Sequence, residues 1–296
     1  MYIELGNQYY FIYILITIFI LLGLYFILRN KSEKIQKRVL FSILVAAFVV
    51  HFLKYFIYPY TTIEPVARIR KVSFENISAT HTLLFPFVFL SNKRVLKDYM
   101  VLGGIVSGLV PILYPLDAMA ATFDGNYFPI KEAFSLEVIR FYFAHIAFLI
   151  IGVLTPLLGI HRVNIETAYR TLFVLLGVFL VLFINEVILT AFGLVPKEDL
   201  FNQDGRNPSF IFGIRTDVLG DLGFLHRFAP KFMYMQDGEY KYWPVLWLVG
   251  PVFFIGGFIV FILCLIIDYR KTIDLFKHKV LRMKVKSEEA DTINLT

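Results

Sequence analysis

Apolar residues in this chain run in blocks of about 20, separated by shorter polar stretches. A block of that length, wound as a helix rising about 1.5 Å per residue, crosses a hydrocarbon core of roughly 30 Å. Blocks stand out at residues 8–28, 39–58, 72–90, 99–121, 138–159, 171–195 and 243–267. The third is the least apolar: its continuous stretch starts only at Ile77 and contains Pro86. A membrane helix tolerates proline where neighbours satisfy the freed carbonyl. No strand–helix alternation, tandem repeat or low-complexity tract interrupts the series. The pattern predicts an all-α integral membrane protein, a bundle of seven transmembrane helices within residues 1–267, with a long connection at 196–242 and a basic tail at 268–296.

Charge then sets the orientation. Lys and Arg number five, three, two and seven in 29–38, 91–98, 160–170 and 268–296, against three and one in 59–71 and 122–137. Those within 196–242 weigh little, because long loops translocate largely regardless of charge. The N-terminus is therefore expected outside and the C-terminus inside a cell membrane, with a bacterial plasma membrane the simplest setting. No basic residue precedes the first block and no small-residue cleavage site follows it, so it reads as an uncleaved span. The formal net charge of +6 reflects this bias and not a nucleic-acid partner. In the tail, Ile273, Phe276, Val280 and Met283 recur at helical spacing among basic residues, which suits a helix lying on anionic inner-leaflet lipids.

Composition excludes other classes. At 58% hydrophobic and 18% charged the chain departs from soluble enzymes and from disordered chains. Its one cysteine, Cys264, leaves no intramolecular disulfide and no cysteine-based metal cluster.

Polar and ionisable groups inside spans are costly and mark pockets or pathways by default. Here they are His51 and Lys54 in the second block, Glu75 and His81 in the third, Asp117 in the fourth, Arg140 and His145 in the fifth, with Asn185 and Glu186 in the sixth. With the N-terminus outside, His51, His81 and His145 lie about 8–12 Å below the outer surface and Glu186 roughly 13 Å deep. One polar cavity open to the outer leaflet would take them all. Lys54 and Arg140 could equally snorkel to the interface, and Asp117, after Tyr114-Pro115, could simply end a helix. Glu186 is expected to pair with Lys54 or Arg140.

Chemistry narrows the choices. Three histidines with a glutamate invite zinc, yet no HExxH or other local ligand motif is present, and nothing in the sequence calls for a cofactor. A histidine base needs a nucleophile within hydrogen-bond reach; Ser78, Thr80 and Thr82 lie beside His81. No GxSxG elbow or SxxK pair occurs. A retinal pigment fails for want of a lysine in the last block. The 196–242 connection mixes Phe210-Ile-Phe and Phe232-Met-Tyr-Met with Arg215, Asp217, Asp221 and Arg227, as an amphipathic lid on the outer interface would; a partner-binding loop is the other reading. Tyr242-Trp243-Pro supplies interfacial aromatics where the last block begins.

Several of these features occur together elsewhere. His81 followed by the basic hairpin Ser91-Asn-Lys-Arg-Val, Gly103-Gly104, Arg140-Phe-Tyr-Phe-Ala-His145, Asn185 and the Tyr242-Trp-Pro run resemble the YwaF-type bacterial integral membrane proteins over about residues 40 to 267. That family is similar to the eukaryotic transmembrane-protein-164 group of phospholipid acyltransferases, which use an intramembrane Cys and His, and to the androgen-induced-gene hydrolases, which use Thr and His. The resemblance implies that His145 takes the place of the catalytic histidine. Where the family pattern reads Pro-Leu-His-Leu-Cys, this chain has Ala79-Thr80-His81-Thr82-Leu83, so a thiol is replaced by Leu83 and Thr80 or Thr82 becomes the expected nucleophile. The expectation is an intramembrane lipid-acyl enzyme, an acyltransferase or hydrolase. His145 or His81 would act as base, Thr82 or Thr80 as nucleophile and Glu186 or Asn185 as orienting group, with His51, Lys54 and Arg140 lining the substrate site and membrane lipids as partners. A small-solute transporter, or a lipid- or partner-binding protein without catalysis, is the alternative.

Overall fold

The computed structural model describes residues 1–62, 64–119 and 132–277, the side chains of Ala67 and Asp117 excepted. Within them the protein is an all-α bundle of membrane-spanning type. Six helical segments are long and apolar enough to cross a membrane: α1 (Gln8–Leu28), α2 (Glu33–His51, prolonged by 3₁₀ turns to Thr62), α5 (Arg94–Leu113), α6 (Leu136–Leu157), α7 (Arg170–Ala191) and a final span, Leu246–Ile267.

The third predicted block, 72–90, is shortened at its start. An amphipathic helix, α3 (Pro65–Val72), stops before a turn at Ser73–Asn76, and only α4 (Ile77–Leu90) continues as an apolar helix, too short to be counted with the six. The break has a local cause, since Asn76 caps α4 by accepting from the Ala79 N–H at 2.8 Å, and an N-cap residue lies outside the helix it starts. Asn7 and Ser135 cap α1 and α6 in the same way. Gly159 and Gly193, at φ +74° and +69°, follow α6 and α7, where the left-handed backbone suits glycine.

The bundle is built round α6, almost every residue of which from Val138 to Thr155 is buried. Its partner α5 lies unusually close. A Cβ at Gly108 would stand 2.6 Å from the Leu149 amide nitrogen, and one at Gly152 2.5 Å from that of Ile105. Gly104-Ile-Val-Ser-Gly108 is the small-residue spacing by which membrane helices bring their backbones together. α1 sits at the rim with most of its apolar side chains exposed, held by the stack of Tyr13 on Tyr142 at 3.8 Å.

The 196–242 connection is packed into the bundle around Ile211 to Ile214. Ile211, Phe212 and Ile214 are buried in one core with Leu182 of α7 and Trp247 of the final span, and the Trp247 indole donates to the Phe210 carbonyl at 3.0 Å. Asn207 ties the turn by donating to the Gly213 carbonyl and accepting from the Phe212 N–H. A two-residue hairpin, Met235–Gln236 with Glu239–Tyr240, closes it. Of the expected tail helix, Tyr269–Leu275 is helical; Val280, Met283 and the rest of the tail lie outside the described residues.

Candidate functional site

The polar residues expected to share one cavity form two layers. The first is a charged layer where α2, α6 and α7 approach the α3–α4 turn. Glu75 receives Lys54 at 3.0 Å and Lys71 at 2.5 Å. Glu137 is held by both nitrogens of the Arg140 fork at 2.6 Å and by the Tyr60 hydroxyl at 2.6 Å. Glu186 is paired by Arg206, from the long connection, at 2.6 and 2.9 Å. Asn185 donates to the Ser73 hydroxyl and the Phe74 carbonyl at 3.3 Å, and His51 meets the Val72 carbonyl at 3.2 Å.

Every carboxylate of this layer therefore has a cation, as buried charges require. Glu186 pairs with neither Lys54 nor Arg140, correcting the expected partnership: Glu75 and Glu137 have taken those cations. Snorkelling is equally set aside, since Lys54 and Arg140 are buried and their charged ends are bonded inside the bundle. Burial raises the Glu75 carboxyl, but Lys54 and Lys71 outweigh it and hold it below its ordinary value. Burial likewise lowers the Arg206 guanidinium, and Glu186 reverses the shift. The layer is a set of internal clamps.

The second layer lies deeper and holds the histidines His81 and His145. His81 sits between two hydroxyls, Ser107 Oγ at 2.9 Å from Nδ1 and Tyr99 OH at 2.6 Å from Nε2, and stacks on Phe85. Both hydroxyls come from one face of α5, two turns apart, with Gly103 on the turn between them. His145 reaches α5 as well: its Nδ1 donates to the Ser107 backbone carbonyl at 2.6 Å. That carbonyl is available because its helical donor would be residue 111, a proline without an N–H. Since a carbonyl only accepts, the His145 proton sits on Nδ1 and its Nε2 carries a lone pair.

Neither expected threonine nucleophile faces a histidine. Thr80 Oγ1 donates to the Asn76 carbonyl at 3.0 Å and Thr82 Oγ1 to the Ser78 carbonyl at 2.9 Å. A threonine inside a helix commonly returns its hydroxyl to the carbonyl four residues back. The hydroxyl at the histidine is Ser107, which the sequence reading passed over. Its signal was present: a serine inside GxxxG, four residues before a proline, is a hydroxyl at a close helix crossing with an unclaimed carbonyl. Tyr99, Glu137, Tyr60 and Arg206 were passed over as well.

His81, Tyr99 and Ser107 form one wall of a cavity of about 170 Å³ between α4, α5, α7 and the final span. Its other walls are apolar, with Leu102, Leu175, Ile259 and Leu263 among them, apart from Thr171, whose hydroxyl donates to the Ala168 carbonyl. His51, Lys54, Arg140, Asn185 and Glu186 do not line it. Among the described residues, no three His, Cys, Asp or Glu side chains are grouped to hold a metal ion. Cys264 is buried and free, in a core with Val101 and Leu102.

A family model described as the TMEM164 family matches residues 5–197, more than half of the chain and including α1 to α7. No curated protein and no solved structure matches.

Proposed function

The chain belongs to the TMEM164 family of membrane proteins, and from that premise we propose that it is an intramembrane lipid-acyl enzyme working through Ser107 and His81. One observation carries the reading. A serine hydroxyl lies 2.9 Å from an imidazole nitrogen on the wall of an apolar cavity, inside a bundle with six spans of membrane-crossing length. A hydroxyl is a weak nucleophile until an adjacent base takes its proton, and an apolar slot at membrane depth suits an acyl chain better than a water-soluble substrate.

The steps follow from the geometry. With Nε2–H donated to the Tyr99 oxygen, His81 presents the Nδ1 lone pair to Ser107. Nδ1 takes the hydroxyl proton as Oγ forms a bond to the ester carbonyl carbon of a phospholipid. The ester C–O bond breaks, the lysolipid alkoxide takes the proton from Nδ1, and the acyl group stays on Ser107. A lysolipid hydroxyl or water, deprotonated by the same Nδ1, then bonds to the acyl carbon; the acyl–Oγ bond breaks and Ser107 Oγ takes the proton back from Nδ1, giving transfer in the first case and hydrolysis in the second. Tyr99 holds the ring in place. His145 holds the Ser107 backbone, which makes it a positioning residue and not the base.

The test is acyl turnover in lipid nanodiscs carrying isotope-labelled phospholipid and lysolipid, read by mass spectrometry. Wild-type protein should move label to the lysolipid or release labelled fatty acid, and Ser107→Ala and His81→Gln should not. Turnover undiminished in Ser107→Ala would overturn the assignment. A folded wild type that retains labelled lipid without converting it would make the cavity a binding pocket.

A further inference from the structure

A second and larger cavity, of about 360 Å³, opens at the opposite end of the bundle from the charged clamps, where α2 and α5 begin and α4 and α6 end. It plays no part in the acyl chemistry above. Its rim is cationic: Lys37, Arg38 and Lys97 surround it together with His161. Its floor is apolar, formed by Phe41, Phe89 and Met100.

The partners of these groups are unevenly distributed. Lys37 is engaged by Glu33 at 2.5 Å, whereas Arg38 and Lys97 have no acidic partner among the described residues. His161 Nε2 meets Asp98 Oδ1 at 2.7 Å, and the Asn164 N–H donates to the same oxygen. Asp98 stands behind His161 and is not among the lining side chains, so among the described residues no carboxylate except that of Glu33, already on Lys37, competes for the rim cations.

An independent observation points to a missing acceptor or donor in the cavity. Thr155, 1% exposed, lines it, and its Oγ1 has no hydrogen-bond partner. Thr80 and Thr82 return their hydroxyls to the preceding turn of their helix, and Thr155 does not. A buried hydroxyl left without a partner costs free energy; a turn of the Thr155 side chain about χ1 would bring it onto a ligand oxygen in the cavity.

We infer that this cavity binds the phosphate of an anionic glycerophospholipid, with Arg38 and Lys97 on the phosphate oxygens, Thr155 donating to the headgroup side, and an acyl chain along Phe41 and Phe89. Arginine and lysine beside a phosphate make charge-assisted hydrogen bonds. The phenylalanine and methionine floor has no role for a free phosphate ion but is what a lipid tail would cover. The basic end of the bundle is also the one expected to face an anionic leaflet.

The experiment reads binding and not turnover, so it stands or falls apart from the acyl-enzyme reading. The full chain is placed in nanodiscs of phosphatidylcholine containing spin-labelled phosphatidylglycerol, and the immobilised fraction is titrated. Arg38→Gln/Lys97→Gln should bind the label about thirtyfold more weakly, the change that follows from removing two cations beside a phosphate. Thr155→Val, nearly the same shape, should weaken it in the same direction. Lys31→Gln/Lys34→Gln removes as much charge from the same end without touching the cavity and should leave binding unchanged. Equal binding by wild type and the Arg38/Lys97 double variant, at matched thermal stability, overturns the inference. So does equal weakening by the Lys31/Lys34 variant, which would reduce it to general surface charge. Displacement of the label by millimolar inorganic phosphate would assign the site to a soluble phosphate group and overturn the lipid assignment.

Discussion

The backbone carbonyl of Ser107 meets Nδ1 of His145 at 2.6 Å, in place of the helical amide that Pro111 cannot provide. This bond fixes the height and rotation of α5 at the turn that presents the Ser107 hydroxyl to His81. Under the proposed acyl chemistry, losing it should cost turnover more than stability, because a misplacement of about 1 Å can cost on the order of 10²-fold in rate. His145→Ala is expected to lower acyl turnover by about 10²-fold. His145→Gln, whose amide can still donate to the carbonyl, should recover a substantial part of it. Equal loss in both variants, at unchanged thermal stability, would mean that the imidazole itself transfers the proton.

The two threonines give a sharp contrast with the serine. Ser107→Ala should lower turnover by about three orders of magnitude or more, as removal of a nucleophile does. Thr80→Val and Thr82→Val should leave it near wild type, because each hydroxyl only serves the carbonyl of its own helix. Their effect should be confined to the thermal midpoint and correspond to about 1 kcal/mol or less. Turnover lost in Thr82→Val with Ser107→Ala active would reverse the roles.

Close approach of α5 and α6 makes the glycines at the crossing selective. Gly108→Ala would place a methyl group 2.6 Å from the Leu149 nitrogen and 2.8 Å from the His145 carbonyl, so the helices must separate. Overpacking of this kind costs roughly 1–3 kcal/mol, and it should also lengthen the Ser107–His145 contact. Gly177→Ala in α7, where nothing lies within 4 Å of the new Cβ, should be neutral or slightly stabilising. Thermal unfolding in detergent, with turnover measured alongside, distinguishes the two.

Glu75 supplies the pH-dependent test. Its carboxyl is held below the ordinary value by Lys54 and Lys71, so the unfolded chain takes up the proton first as pH falls. The stability it contributes is fully present above the unfolded value near 4.3 and is lost as pH drops through the lower folded value. The thermal midpoint of wild type should fall along that acid limb, and Glu75→Gln should flatten it. At neutral pH the same variant should be less stable by about 3–5 kcal/mol, since it strands the Lys54 ammonium in the bundle. An acid limb of unchanged slope in Glu75→Gln would place the titrating group elsewhere.

Hydropathy carried most of the fold because lipid leaves a spanning helix little choice. The block at 8–28 coincides with α1, and those at 138–159 and 171–195 agree with α6 and α7 to within a few residues. In the third block the continuous apolar stretch from Ile77 marks the start of α4; only the lead-in at 72–76 is not part of that helix, because Asn76 turns its side chain onto the Ala79 N–H and caps it. The site was half legible. His81 and His145 stand out by their cost in a membrane, but which hydroxyl meets His81 depends on how closely α5 lies against its neighbours. That closeness is written in small residues, not in polar ones. The charged layer misled for a related reason. Glu137 and Arg206 lie in stretches that read as boundary or loop, so Arg140 and Glu186 were left looking for partners within the spans.

The Glu186–Arg206 pair is where the long connection enters the bundle, and it tests whether 196–242 is a built part of the fold. Glu186 is 1% exposed and holds both nitrogens of the Arg206 fork, while Ile211 and Phe212 pack just beyond it in the core shared with Trp247. Removing one partner leaves a buried charge, at about 3–5 kcal/mol; removing both leaves two neutral groups at much lower cost. Arg206→Gln and Glu186→Gln should each lower the thermal midpoint and expose 196–242 to limited proteolysis. The double variant should be more stable than either single one, the signature of coupling in a double-mutant cycle. If instead the single variants are additive and proteolysis of the connection is unchanged, the pair is incidental and the apolar contacts of Ile211, Phe212 and Trp247 alone hold the segment in place.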